Sequence, residues 1–390
     1  MTTEQKGSST GDTSVLEPGA GSATSRAHQT SPAKIVGGLV GMAAVIWALF
    51  NLFLAFGLYP EVFLDSKIII GIVALVAGVG GAGVFFWFLN MFVEGLPQRA
   101  SLAAMPYAYV LPGLFFIGLM LIYPTLQTIN YSFANSDSDA YVGLANYREI
   151  FTDGDFQSAL FNNLLWLLVV PAFVVAFGVI IAVLADRLGP QAEKVAKSFI
   201  FLPMAISFVG ASAIWSLIYA FDDAGANQTG LLNAIWTSIG GDPQTWLQIS
   251  EFRLNSFLLM VILIWLQVGF AMILLSSAIK GVPDETIEAA RIDGATEWQI
   301  FWRVVVPQIK GTMITVYITV TILVLKIFDI IFVTTNGRFE SNVIANLFFN
   351  ELFARREAGT ASAIVVVLLI SVLPILVYQV RHFRREELAR

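Results

Sequence analysis

The 390-residue chain contains no cysteine and only two histidines, His28 and His382. Without thiols it has no disulfide frame, no thiolate metal site and no cysteine nucleophile. The histidines lie near opposite ends and outside the apolar runs, which argues against a histidine metal cluster or a Ser/His/Asp triad within the membrane. No catalytic residue and no metal ligand is therefore expected. Charge is scarce as well: Asp, Glu, Lys and Arg make up 13% of the residues, where ordinary soluble domains carry about 25%. The net charge of −6 leaves no broad basic surface, so nucleic acid is not an expected partner. The chain also has no Gly-Lys dipeptide, and hence no phosphate-cradling P-loop.

Apolar residues fill the space that charge leaves. They account for 57% of the chain and raise its mean hydropathy to +0.75. A single core cannot absorb that much apolar side chain, so the chain reads as an integral membrane protein in contact with lipid. Eight apolar runs are long enough to cross a bilayer as helices: 35–58, 68–93, 107–130, 163–185, 198–221, 256–279, 312–334 and 362–380. The runs are continuous rather than alternating, which excludes a β-barrel. With the N-terminus inside, 15 of the 22 lysines and arginines fall on inner segments. The positive-inside bias therefore places both termini in the cytoplasm.

Sixteen of the first 32 residues are Ser, Thr or Gly. Such a segment buries too little to offset its ordering entropy, so residues 1–34 read as a disordered cytoplasmic tail and not a cleaved signal. Residues 35–93 read as an accessory helix pair, and 94–390 as the main domain.

The most informative loop is cytoplasmic and spans 280–310. Pro283, Asp284 and Glu285 signal a helix start. Ile287, Ala290 and Gly294 share a face, and Gly294 suits the left-handed residue that ends a helix. Trp298, Phe301, Trp302 and Val305 then have amphipathic helical spacing, and Pro307 is read as closing that second helix. Periodicity alone leaves two readings: an elbow presented for docking, or a hairpin floating at the lipid interface.

Glu288-Ala289-Ala290, Asp293-Gly294 and Val304-x-Val306-Pro307 resemble the EAA loop of ABC-importer permeases. Val304 and Val306 stand where that family prefers Ile and Leu. Val142-Gly143-Leu144-Ala145-Asn146-Tyr147-Arg148, Gly230-Leu231-Leu232-Asn233 and Lys326-Ile327-Phe328-Asp329 with Thr334-Thr335-Asn336-Gly337 resemble segments of sugar permeases. Asn336-Gly337-Arg338 departs from a Gly-Gly-Pro common there. The resemblance covers roughly 107–385 and is nearest to maltose-type permeases for α-glucosides, including trehalose. It implies an all-α, eight-helix type I importer permease in a bacterial inner membrane, whose 280–310 loop couples to an ATPase through Glu288, Ala289, Ala290, Asp293, Gly294 and Pro307. It further implies a second homologous permease, a dimer of nucleotide-binding subunits holding ATP and magnesium, and an extracytoplasmic sugar-binding protein. This chain itself is expected to bind no cofactor. Gly294→Asp, or loss of 284–300, is expected to abolish uptake without preventing insertion.

A sugar path wants aromatic faces and neutral polar edges. Trp265, Gln267, Phe270, Trp215, Tyr219 and Phe328 are candidates; the alternative is that they pack between helices, or that Tyr219 anchors at the interface. Lys326 and Asp329, three apart, read as sharing one helix face. They either line the path, with Asp329 accepting sugar hydroxyls, or form a local ion pair. As an ion-coupling pair they would suit a self-contained secondary transporter, the competing function.

Overall fold

A computed structural model describes residues 30–223 and 225–389, and these are nearly all helical. The expected disordered tail thus falls largely outside the described residues. Its last residues are helical: the Ser31 hydroxyl accepts the Lys34 N–H at 3.4 Å, and Pro32 sits in the first turn, which spares the helix an orphan donor. Among the described residues, seven helices are long and apolar enough to cross a membrane, and one bent pair makes an eighth. An isolated antiparallel bridge, Ala134 to Tyr141, is the extended pairing seen among them.

The chain divides into two compact units, residues 1–123 and 124–390. The first holds α1 (Pro32–Leu58), α2 (Lys67–Gly95) and α3 (Gln98–Ile117), which runs on through a π turn at Gly118–Ile122. Most side chains of α1 and α2 are exposed, as lipid-facing helices require. Their polar groups pair among themselves. Lys34 Nζ lies 3.0 Å from Glu94, Asn90 donates to Glu94 at 2.7 Å, and the Tyr109 hydroxyl donates to Asn90 at 2.6 Å, tying three helices together.

The second unit contains α4 (Tyr123–Tyr131, from Pro124 on), α5 (Ala145–Thr152), α6 (Gly154–Asp186), α7 (Pro190–Phe201), α8 (Phe208–Ile218) and α9 (Leu231–Ser238). It continues with α10 (Leu254–Lys280), α11 (Asp284–Ile292), α12 (Glu297–Ile300), α13 (Val306–Leu325), α14 (Asp329–Thr334), α15 (Ile344–Phe349) and α16 (Ala358–Ala389). Helix α10 is central: two-thirds of its most apolar stretch is buried inside the protein. Its Leu259, Leu263 and Leu266 meet Trp166, Val170 and Val174 of α6 and Val316, Val320 and Val324 of α13 in one core.

Four expectations are corrected. The apolar run 198–221 is not a straight span. Pro203 sits at the start of a short 3-10 turn, Leu202–Ala205, Ile206 is extended and Ser207 caps a new helix through the Gly210 N–H at 3.1 Å, so the segments Pro190–Ala205 and Phe208–Ile218 meet at 103°. Pro307 does not close the elbow's second helix. The Val306 N–H reaches back to the Phe301 carbonyl in a π turn, which accommodates the proline, and one helix runs Glu297–Leu325. That wide turn also changes the buried face: Ile300, Val305 and Ile309 are buried, whereas Trp298 and Trp302 are exposed and meet edge-to-face. Finally, the helix breaks at Lys326, and Phe328 has non-helical backbone, so Lys326 and Asp329 share no helix face.

Gly269 lets α10 touch the end of α7. A Cβ there would lie 2.4 Å from the Ile200 carbonyl oxygen and 2.7 Å from the Phe201 Cα, atoms that cannot rotate away. Gly269→Leu is therefore expected to cost at least about 1–3 kcal/mol by overpacking. Thermal unfolding of the purified protein in detergent, followed by the recovered monodisperse fraction, measures it.

Candidate functional site: a cytoplasmic elbow and an aromatic cluster

The elbow begins where α10 ends, at Lys280, and turns through Gly281 to Pro283 into α11. Asp284 and Glu285 occupy the first turn and Arg291 the last, each suiting the helix dipole. Asp293 caps the helix, and Gly294 follows at φ +82°. The Gly294 N–H reaches the Arg291 carbonyl at 3.0 Å and the Ala295 N–H the Ala290 carbonyl at 3.0 Å. This is the left-handed termination that glycine favours. Thr296 and Gln299 then form a reciprocal capping box that starts α12.

The inner side of the elbow is apolar. Ile287, Ala290 and Ala295 pack on buried Val282, Ile300, Val305 and Ile309, with Ala278 and Ile279 of α10 at the edge. Its outer side presents Glu288, Ala289, Asp293 and Ile292, the last 85% exposed. Arg291 binds Glu297 across the turn, at 2.8 Å from Nε and 3.3 Å from Nη2. That pairing raises the already high pKa of the guanidinium. Both partners are exposed, so the pair fixes direction more than it adds stability. Sequence reasoning missed it because the two residues sit on opposite sides of the glycine.

Of the path candidates, three come together. The Trp215 ring lies 5.4 Å from Tyr219 and 5.8 Å, edge-to-face, from Trp265. The Tyr219 hydroxyl donates to the Leu258 carbonyl at 2.9 Å, and the Trp215 indole N–H is buried with no partner among the described residues. Gln267 is buried on α10, but two residues beyond Trp265 it points nearly to the opposite side; Phe270, half-buried, lies three residues further on. Phe328 belongs to a separate ladder, 5.0 Å from Phe332 and 5.0 Å from Phe349, which in turn meets Phe353 at 4.7 Å. Those three partners were not singled out in the sequence, since isolated phenylalanines carry no signal in an apolar chain. Lys326 is exposed and Asp329 half-buried, and no ion pair joins them among the described residues.

The outer-loop motifs are turn builders. Asn146 is buried and donates to the carbonyls of Ser132 and Ala134 at 3.0 and 2.7 Å, while Tyr147 bonds the Ser132 hydroxyl at 2.7 Å. Asn233 donates to the Ala220 and Gln244 carbonyls and accepts from the Gln244 N–H and the Trp246 indole. Asp222 accepts the Thr229 N–H and hydroxyl, both at 2.7 Å, and those bonds hold its carboxyl below the usual range. Beside Arg253 and the segment 336–342 lies a polar cavity of about 850 Å³.

The described residues thus form a helical bundle with seven candidate membrane spans, one bent helix pair and a structured elbow. Residues 167–386 match the family described as binding-protein-dependent transport system inner membrane component. The chain belongs to that family: it is an inner-membrane permease subunit of an ABC importer. It is 45% identical over 335 residues, covering 82% of this chain and 98% of the relative, to the alpha-glucoside transport system permease protein AglF of Rhizobium meliloti. It is 50% identical over 282 residues, 72% of this chain and 100% of the relative, to the osmoprotective compounds uptake permease protein GgtC of Synechocystis. The trehalose/maltose transport system permease protein MalF of Thermococcus litoralis is 28% identical over 73% of this chain and 96% of its own length. In fold it is similar to a chain of the bacterial alginate ABC transporter solved with an alginate pentasaccharide-bound periplasmic protein, at TM-score 0.61 and 21% identity over 72% of this chain and 94% of that one. Membership of this family leaves the self-contained ion-coupled transporter without support, in keeping with the separation of Lys326 from Asp329.

Proposed function

We propose that this chain is the sugar-conducting permease of an ATP-driven importer for α-glucosides such as maltose or trehalose, which cross chemically unchanged. The observation that carries the coupling role is the elbow itself: a short helix whose outward side offers Glu288, Ala289 and Ile292, stiffly backed by an apolar cluster. A cytoplasmic ATPase dimer carrying ATP and magnesium grips that helix, and Asp293 and Gly294 set its angle. Ala290 faces the backing cluster, and Pro307 follows the π turn that fixes α13 to it. A second, homologous permease completes the conduit, and an extracytoplasmic binding protein hands sugar to the outer loops. The name of the R. meliloti relative supports the substrate class, and the missing P-loop supports a borrowed ATPase.

Co-purification from native membranes in mild detergent tests the assembly. A P-loop protein and a second polytopic chain are expected with it; recovery of this chain alone would overturn the reading. Trp215, Tyr219 and Trp265 then supply the aromatic face for the sugar ring, with Gln267, Phe270, Phe328 and Asp329 further along the path. Trp265→Ala is expected to raise the KM for α-glucoside uptake about fivefold, the loss of one stacking contact worth about 1 kcal/mol. An unchanged KM would return these rings to helix packing.

A further inference from the structure

The inner ends of three helices carry a cluster of charges that the elbow reading does not use. Asp186 ends α6, Glu193 and Lys197 lie on α7, and Ser276 and Lys280 lie on the last turns of α10. Lys197 Nζ sits 3.0 Å from Asp186 Oδ1 and 2.5 Å from Glu193 Oε1, and it also bonds the Ser276 hydroxyl. Ser276 donates to Asp186 at 2.8 Å. Lys280 bonds Glu193 and lies 3.7 Å from Asp186. The side chains of Asp186, Glu193 and Lys197 are 17%, 17% and 18% exposed and that of Lys280 is 52% exposed, so three half-buried charges are joined to one exposed lysine. Lys197 is the member shared by both acids and Ser276, so its removal leaves two half-buried carboxylates without their common base.

Its position gives the cluster a use. Lys280 is the residue from which the elbow springs, and Glu193 and Lys197 lie on the first half of the broken helix. The second half, beyond the 103° bend at Pro203–Ser207, carries Trp215 and Tyr219. The apolar cluster beneath α11 ties the elbow to α10 and α13, and the charges tie α10 to α6 and α7. A displacement of α11 therefore has a stiff route to the aromatic cluster.

We infer that Asp186, Glu193, Lys197, Ser276 and Lys280 form an ionic clasp that positions the base of the elbow and transmits its movement to the broken helix α7–α8. They are positioning residues: they touch neither sugar nor nucleotide. The inference rests on the coupling role proposed for the elbow. The clasp stays closed through the cycle and acts as a lever joint, because opening it would part the half-buried Lys197 from both of its acids and from Ser276.

The test uses the whole importer, with its permease partner, ATPase and binding protein, reconstituted in proteoliposomes. Lys197→Met is expected to leave assembly intact and to lower sugar imported per ATP hydrolysed about tenfold, while Lys197→Arg stays within twofold of the unaltered protein. Loss of assembled complex with an unchanged ratio would mean a merely structural role and overturn the clasp. A second variant guards against a misfolded first one. The chain has no cysteine of its own, so Glu193→Cys with Lys280→Cys, in an importer whose other subunits carry no reactive cysteine, supplies a unique pair for a short bismaleimide. Bridging it is expected to restore or retain the transport ratio relative to the unbridged pair; a bridge that blocks uptake would show that the clasp must open. If the unaltered complex fails to import α-glucoside on ATP, the proposed function fails instead, independently of the clasp.

Discussion

Gly294→Val is expected to abolish ATP-driven uptake while the chain still inserts and accumulates in the membrane. The cause is the backbone alone. Gly294 sits at φ +82°, and a Cβ placed on it meets nothing within 4 Å, so no clash in the folded elbow confuses the outcome. A left-handed conformation costs an ordinary residue about 1–2 kcal/mol, and a β-branched one more. The cheapest relief is to turn the following residues, which swings α11 off the axis set by the bonds from Gly294 to Arg291 and from Ala295 to Ala290. The nine-residue helix Asp284–Ile292 then presents Glu288, Ala289 and Ile292 at the wrong angle.

Gly294→Asp should act by two routes, since aspartate tolerates the left-handed region better than valine but adds a carboxylate beside Asp293 and near Glu297. Gly294→Asn separates them: it keeps the conformation accessible and adds no charge, so it is expected to retain substantial uptake. The measurement is labelled α-glucoside uptake normalised to permease in the membrane, with at least about a tenfold loss for Val and Asp, the effect of some 1.4 kcal/mol at the coupling step. Wild-type uptake by Gly294→Val, or by a chain lacking 284–300, would remove the coupling role from the elbow.

Gly294 was legible in the sequence because its signal is local: an acidic helix start, a short apolar face, then a glycine. The membrane spans were legible for a similar reason, since twenty or so apolar residues in a row have few other uses. What failed were features that leave hydropathy unchanged. From Ser198 to Phe221 the sequence stays apolar through the bend, and Pro203 is the sole local hint; prolines inside membrane helices such as Pro171 in α6 break nothing. The π turn before Pro307 is set by backbone register, which side-chain spacing cannot reveal. It turned the expected Trp298–Val305 face into a buried Ile300–Val305–Ile309 face. Lys326 and Asp329 looked like helix neighbours because a three-residue spacing presumes an unbroken helix. The clasp was invisible for the opposite reason: Asp186 and Lys280 each end an apolar run, where a charge is ordinary, and 94 positions separate them.

At the outer end, Asn162→Leu is expected to release the segment 335–343 and to collapse uptake with it. Asn162 is fully buried on α6, and its amide donates to the carbonyls of Glu340 and Asn342 at 2.7 and 2.8 Å. Asn163 accepts the Ile344 N–H at 2.8 Å, Asn255 donates to the Phe339 carbonyl at 2.6 Å, and Arg253 lies 3.2 Å from the Glu340 carboxylate. These side chains stand in for a regular backbone ladder, because Asn336, Phe339 and Glu340 have φ of 48°, 57° and 57°. Each such residue costs on the order of 1–3 kcal/mol unless its surroundings enforce it. Leucine would take the amide donor from the half-buried Asn342 carbonyl, at about 1–3 kcal/mol, while the Glu340 carbonyl keeps its bond from Arg253. Added to the strain of three left-handed residues, that loss is enough to free the segment and not enough to unfold the bundle. Ser256, also fully buried near the start of α10, predicts the reverse. Its hydroxyl has no partner among the described residues, so Ser256→Ala is expected to be neutral or slightly stabilising. Maleimide labelling of Ser341→Cys, a fully buried position of the segment, in this otherwise cysteine-free chain reads both: labelling should accelerate at least tenfold with Asn162→Leu and stay unchanged with Ser256→Ala. Equal labelling rates would mean that Arg253, Asn163 and Asn255 hold the segment without Asn162.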